Sequence, residues 1–238
     1  MELGGKNPTI IFDDAPLDSA VEGAFRAAFS NQGQICLCGS RILVHKNIID
    51  DVTESLLKKI SEMVIGDPLN ENTMMGALVS ENHLKKVESC LQTAREEGGK
   101  ILTGGERFSP EGRCADGYFL TPALINGLPH SAKTNQEEIF GPVASLIPFS
   151  NEEEALKLAN DVRYGLAASL WTKDIDRALR MSEKIEAGTV WVNTWMKRDL
   201  RTVFGGVKDS GLGREGGSDS LHFFQEPTNI CMRFDTHS

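Results

Sequence analysis

MELGGKNPTIIFDDAPLDSAVEGAFRAAFSNQGQIC, residues 1–36, reads as a chain that runs out along a strand and back along a helix. Pro8 to Phe12 (PTIIF) is a short apolar run of the kind that forms a buried strand. Asp14 and Pro16 then announce a helix, in which Val21, Ala24, Phe25, Ala28 and Phe29 follow the helical repeat. The two elements have comparable lengths, roughly 17 and 22 Å at standard rises per residue. The chain therefore returns to its starting end, where Gly33 turns and Cys36 can approach Glu2.

A thiol and a carboxylate in one place suit covalent catalysis. The thiolate attacks a carbonyl carbon, and the carboxylate later activates water against the thioester. For Cys36 to act as a thiolate its pKa is expected to fall, through a helix end or a positive group nearby.

Outward from this unit, strand and helix signals alternate. Strands are expected over Ser40–His45, Lys100–Thr103, Tyr118–Ile125, Val143–Phe149, Leu166–Trp171 and Gly188–Asn193. Helices are expected from Ile48 to Met63, from an N-cap at Ser80 to Gly98, and from Asp174 to Ala187. Ser150-Asn151-Glu152-Glu153 reads as a capping box for one more, and residues 104–117 as a polar loop. This alternation predicts an α/β fold: an open, mainly parallel twisted sheet flanked by helices. Sites in such sheets are expected at the carboxyl ends of the strands. Near the end, a glycine-rich turn leads into a helix over Ser218–Phe224 and a strand over Thr228–Phe234. Gly211-Leu212-Gly213-Arg214-Glu215-Gly216 spells GxGxxG, but the residues before it look like loop, and too little chain remains for a dinucleotide unit.

The net charge of −9 argues against nucleic acid or an anionic membrane as the main partner. No apolar run approaches the length of a membrane span, and the opening residues MELGGKNPT have neither a basic start nor an apolar signal core. The five cysteines (36, 38, 90, 114 and 231) are odd in number and irregularly spaced, which does not suggest a disulfide framework. Cys36-x-Cys38 has the wrong spacing for a zinc knuckle, and the histidines form no metal-binding pattern, so no metal is expected. Reduced cysteines fit a cytoplasmic setting.

Four motifs then stand in order: Glu2-Leu3-Gly4-Gly5-Lys6, the segment Phe29 to Cys36, Glu137-Glu138-Ile139-Phe140-Gly141-Pro142, and Phe204-Gly205-Gly206-Val207-Lys208-x-Ser210-Gly211. Together they resemble the aldehyde dehydrogenase superfamily over essentially the whole chain. The resemblance implies a catalytic domain over residues 1–209 and a C-terminal helix and oligomerisation strand over 210–238. The dinucleotide-binding domain that precedes the first motif in such proteins has no counterpart in this sequence. By the same resemblance, NAD is the cofactor and the full-length protein a homo-oligomer.

The resemblance also implies roles. Cys36 is the nucleophile toward an aldehyde and Glu2 the general base for deacylation. Glu138 holds the nicotinamide ribose and Phe140 flanks the nicotinamide ring, with Leu3 also on the cofactor side. The oxyanion falls partly to the backbone N–H of Cys36. Asn193 to Arg201 resembles the branch that oxidises 2-hydroxymuconic and 2-aminomuconic semialdehydes, whose substrates carry a distal carboxylate. Arg198 is the first choice for its anchor and Arg201 the second, because a guanidinium pairs bidentately with a carboxylate; Phe204 completes the substrate side. Val203 stands where a Pro commonly precedes Phe-Gly-Gly. Two other readings stay open: a thiol esterase that needs no nicotinamide, and a non-catalytic fragment that associates with full-length subunits.

Overall fold

The computed structural model of the chain describes residues 1–234. In chain order the strands are β1 (Pro8–Ile11), β2 (Arg41–His45), β3 (Lys100–Thr103), β4 (Arg107–Phe108), β5 (Phe119–Leu120), β6 (Ala123–Asn126), β7 (Val143–Phe149), β8 (Tyr164–Gly165), β9 (Ala167–Trp171), β10 (Thr189–Val192) and β11 (Val207–Lys208). The α-helices are α1 (Leu17–Phe29), α2 (Ile49–Ser61), α3 (Glu81–Glu96), α4 (Lys133–Gln136), α5 (Glu152–Asn160), α6 (Ile175–Lys184) and α7 (Gly217–Phe223).

Seven strands form the central sheet in the order β10-β9-β1-β2-β7-β6-β3. Every neighbour pair is parallel except β3 with β6 at one edge. The strands are apolar on both faces because both are covered. Ile11, Ile42, Val44 and Leu146 face α1 and α2, while Ile10, Leu43, Phe149 and Leu170 face α5 and α6. β2 nevertheless opens on a fully buried cation. Arg41 donates to the carbonyls of Lys6 (2.8 Å), Leu158 (2.7 Å) and Ala159 (2.9 Å), tying the last turn of α5 to the segment before β1.

Several expectations shift. The strand expected over Tyr118–Ile125 divides at Thr121-Pro122, because Pro122 has no N–H to continue a ladder; β5 then pairs with β4, and β6 with β3 and β7. The polar loop 104–117 accordingly contains β4 and one 3-10 turn at Gly112–Cys114. The capping box moves one residue on: Asn151 caps α5 by accepting from Glu154 N–H (2.9 Å), and the Glu154 carboxylate accepts from Ser150 N–H (2.8 Å). The strand expected over Thr228–Phe234 does not form, and residues 225–234 are exposed without regular structure. A lone strand leaves its backbone groups unpaired, and the tail adds to neither edge of the sheet. The last four residues of the 210–238 segment lie outside the described residues. Among those described, no helix is long and apolar enough to cross a membrane.

Asp14 does not cap α1; Pro16 occupies that position without a side-chain bond. Its carboxylate instead accepts from Thr172 Oγ1 (2.8 Å), the N–H groups of Lys173 and Asp174 (3.0 Å each) and Arg177 (2.7 Å), joining β1–α1 to β9–α6. Burial alone would raise its pKa, but the Thr172 bond, the two backbone N–H groups and Arg177 outweigh it and hold the carboxyl below the usual range. Its contribution to stability is therefore present above the unfolded carboxylate pKa and lost as pH falls through the lower folded value. Asp14→Asn is expected to cost about 1–2 kcal/mol at pH 7, discounted because the side chain is partly exposed, with the gap to wild type closing below about pH 4. Urea unfolding at pH 7 and pH 3 checks this; an equal gap at both would assign the loss to shape alone.

Candidate active site

The site lies at the amino ends of the strands, not the carboxyl ends. Glu2 precedes β1, Cys36 precedes β2 and Glu138 precedes β7; since these three strands are parallel, all three residues reach the same edge. The carboxyl-end rule describes ligands cradled by the loops that leave the strands. Here the candidate residues sit on the segments that enter them.

Glu2 is pinned. Leu3 N–H donates to Ser210 O (2.8 Å), the Met1 ammonium donates to Leu212 O (2.8 Å), and Leu212 N–H returns a bond to Met1 O (3.1 Å). Glu2 thus faces Gly211 in an antiparallel bridge. The GxGxxG segment therefore packs as a partner for the chain start, and its Glu215 exchanges both backbone bonds with Phe204 (2.8 Å each). Beside Glu2 opens a cavity of about 310 Å³, lined by Phe204, Leu212, Phe223 and Phe224 among others.

The turn before Cys36 has a contorted backbone. Asn31 (φ 49°), Gln32 (φ 59°) and Gly33 (φ 69°) are consecutive left-handed residues between the end of α1 and Cys36. Such residues cost of order 1–2 kcal/mol each when not glycine, so surrounding bonds must hold them. Gln34 N–H donates to Asn31 O (2.9 Å), Asn31 Nδ2 to Gln34 O (3.1 Å), and Val79 N–H to Gln34 Oε1 (3.1 Å). Gly33 passes so close to Gly141 that an added Cβ would lie 2.1 Å from its carbonyl oxygen. The buried Asn7 side chain bonds the carbonyls of Cys36 (2.8 Å) and Cys38 (2.9 Å). Sequence reasoning missed Asn7, which looked like an ordinary residue before a proline.

Cys36 is half-buried, and burial pushes its thiol pKa up, reinforced by the Glu2 and Glu138 carboxylates. Its own backbone N–H and Arg198 oppose this without reversing it. The expected fall in pKa is therefore not what this chain by itself provides: α1 ends before the cysteine, and two carboxylates face it. Gly5 N–H bonds Glu138 and Asn7 bonds the Cys36 carbonyl, so the segment after Glu2 gathers the cysteine and this carboxylate, while Arg198 stacks on Phe204 of the cluster that Cys36 packs against. Cys38 is buried, with its thiol pushed up to about 12, chiefly by burial.

Glu138 Oε1 accepts from Gly5 N–H (2.9 Å). Gly4, at φ 83°, makes room for this carboxylate, since a Cβ there would lie 2.4 Å from Oε2. No described hydrogen bond reaches Oε2. A half-exposed carboxylate with one oxygen fixed by backbone and the other open suits a ligand diol, so the residues fit the ribose end of a nicotinamide cofactor. Phe140 is held at φ 61°, with its carbonyl 2.6 Å from His83 Nε2 and its ring edge-on to His83 at 6.2 Å. His83 was missed as well; it sits in the first turn of a helix with nothing nearby in sequence to mark it. Leu3 is 56% exposed on the segment that carries Gly4 and Gly5.

The loop after β10 starts at the far edge and folds back. Asn193 (φ 52°) and Met196 (φ 60°) reverse the backbone. Trp191 Nε1 then donates to Lys197 O (2.9 Å) and Trp195 Nε1 to Leu37 O (3.0 Å), one residue past the cysteine. This return carries Arg198 to the site, its guanidinium 4.5 Å over the Phe204 ring. Among the described residues Arg198 has no carboxylate partner. Arg201, the second choice for the anchor, already grips Asp199 through Nε–Oδ1 (2.9 Å) and Nη2–Oδ2 (2.6 Å).

The aldehyde dehydrogenase family profile matches residues 1–230, and the chain belongs to that family. It is 45% identical, over 239 aligned positions, to a 2-aminomuconic 6-semialdehyde dehydrogenase from a Pseudomonas species, covering 100% of this chain and 48% of that protein. It is 46% identical to the 2-hydroxymuconic semialdehyde dehydrogenase of Pseudomonas sp. strain CF600, covering 98% and 48%. Among solved structures, the betaine aldehyde dehydrogenase of Staphylococcus aureus in complex with NAD+ superposes with a TM-score of 0.90 at 41% identity, over 94% of this chain and 44% of that one. The chain thus spans about half the length of the curated relatives it matches.

Proposed function

We propose that this chain is the catalytic part of a protein that oxidises a muconic-type semialdehyde to its carboxylic acid with NAD. The observation that carries the proposal is that the segment after Glu2 holds Glu138 through Gly5 N–H and the Cys36 carbonyl through Asn7, with Arg198 stacked on Phe204 of the same cluster as Cys36. The Cys36 thiolate attacks the aldehyde carbon, and the Cys36 backbone N–H donates to the developing oxyanion. NAD, when bound, would supply the hydride acceptor that oxidation of the Cys36 adduct to an acyl-thioester requires. Glu138 and Phe140 would hold and flank its nicotinamide end, beside the exposed Leu3. Glu2 then takes a proton from water, which adds to the thioester carbon and releases the acid and the thiol. The semialdehyde names of both Pseudomonas relatives support the substrate class. Free cysteines support a cytoplasmic setting. Exposed Phe223, Phe224, Ile230, Met232 and Phe234 support a homo-oligomer of the longer protein.

Arg198 takes the distal carboxylate in this proposal, which its stacking on Phe204 and its lack of a carboxylate partner among the described residues support. In the longer protein, Arg198→Ala is expected to lower kcat/KM for a carboxylated semialdehyde by about ten- to more than a hundredfold, the worth of a charge-assisted bidentate pair. A neutral aldehyde such as benzaldehyde should be spared. Equal losses for both would give Arg198 a structural role, and no loss for either would move the anchor elsewhere.

A further inference from the structure

We propose that Asn7 is the positioning residue of the nucleophile: its side-chain amide fixes the backbone around Cys36 so that thiol and N–H point at one carbonyl. The inference rests on the reading of Cys36 as nucleophile.

The Asn7 side chain is 3% exposed, and its donors and acceptor are all engaged. Nδ2 spends one hydrogen on Cys36 O (2.8 Å) and the other on Cys38 O (2.9 Å), while Oδ1 accepts from Ala167 N–H at the start of β9 (3.0 Å). Two donors and an acceptor on so short a stem are what only Asn supplies: Asp cannot donate when ionised, and Ser has one hydrogen. The bond to Cys36 O fixes the peptide plane that follows the Cys36 Cα. The preceding plane is fixed by Cys38 N–H donating to Ile35 O (3.0 Å), and the bond from Asn7 to Cys38 O holds that donor residue in place. With both flanking planes fixed, the two backbone dihedrals of Cys36 are fixed, and so are the directions of its Cα–Cβ bond and its N–H. The position of Asn7 explains its reach. It lies between Gly5, whose N–H holds Glu138, and β1, so the segment carrying the base also orients the nucleophile.

Attack on a carbonyl needs both the thiolate and a donor for the oxyanion, whereas alkylation by iodoacetamide needs the thiolate alone. In the 238-residue chain, Cys36 acylation by 4-nitrophenyl acetate and Cys36 alkylation by iodoacetamide are therefore compared by peptide mass spectrometry. Asn7→Ser is expected to slow acylation by about tenfold or more, as misplacement of reacting groups does, while alkylation stays unchanged or rises. A parallel fall in both rates, or unchanged acylation, overturns the inference. Failure of the unsubstituted chain to acylate at Cys36 overturns the nucleophile reading itself, and the inference with it. If Asn7→Ser does not fold, Asn7→Asp keeps the bond from Ala167 and carries the same comparison, because the ratio of the two rates cancels any shift in the thiol pKa.

Discussion

Cys36→Ala should reduce acylation of the chain by 4-nitrophenyl acetate to background, a loss on the order of 10⁴-fold or more, as removal of a nucleophile does elsewhere. Cys38 is buried, with its thiol pushed to about 12, and burial raises Cys90 too. Cys231 is exposed and lies in the tail that follows α7. Because burial, Glu2 and Glu138 raise the Cys36 thiol, the thiolate fraction is small at neutral pH, so the rate should still be climbing above the ordinary thiol pKa. Stopped-flow release of nitrophenol at a series of pH values measures both effects. A Cys36→Ala variant that keeps its burst would remove the nucleophile from Cys36.

Glu2→Gln should move the two half-reactions in opposite directions. As the base for deacylation, Glu2 is worth about 10²–10⁴-fold, so hydrolysis of the acyl-thioester should slow by that factor. As a negative charge beside Cys36, it holds the thiol pKa up, so removing the charge should make acylation at neutral pH faster. One progress curve reads both: a quicker burst followed by a nearly flat steady state. A slower burst would mean that Glu2 helps to form the thiolate, and an unchanged steady state would mean that another group activates water.

The β1–α1 unit and most later elements were legible because each rests on short-range periodicity and a single reversal. The edge of the sheet that carries the site was not, since the usual rule concerns the opposite one. Nor was the return of the loop after β10, which depends on left-handed turns at Asn193 and Met196, residues that carry no glycine signal. The direction of the Cys36 pKa shift was missed because burial, a tertiary property, raises it first, with the Glu2 and Glu138 carboxylates adding to it. Asn7 and His83 act through backbone carbonyls brought from distant segments, and no local pattern marks such a partner. The C-terminal strand did not form for a related reason: an apolar run says that a segment can pair, not that a neighbouring strand is there to pair with it.

On the proposed function, Cys36 bonds to the substrate carbonyl. The most direct test is to mix the chain with 4-nitrophenyl acetate, quench with acid within the burst, and locate the acetyl group by peptide mass spectrometry. The expected result is a single acid-stable thioester on the peptide containing Cys36, persisting longer in Glu2→Gln. Acetyl groups confined to Cys231 or to surface lysines, with Cys36 unmodified, would contradict it.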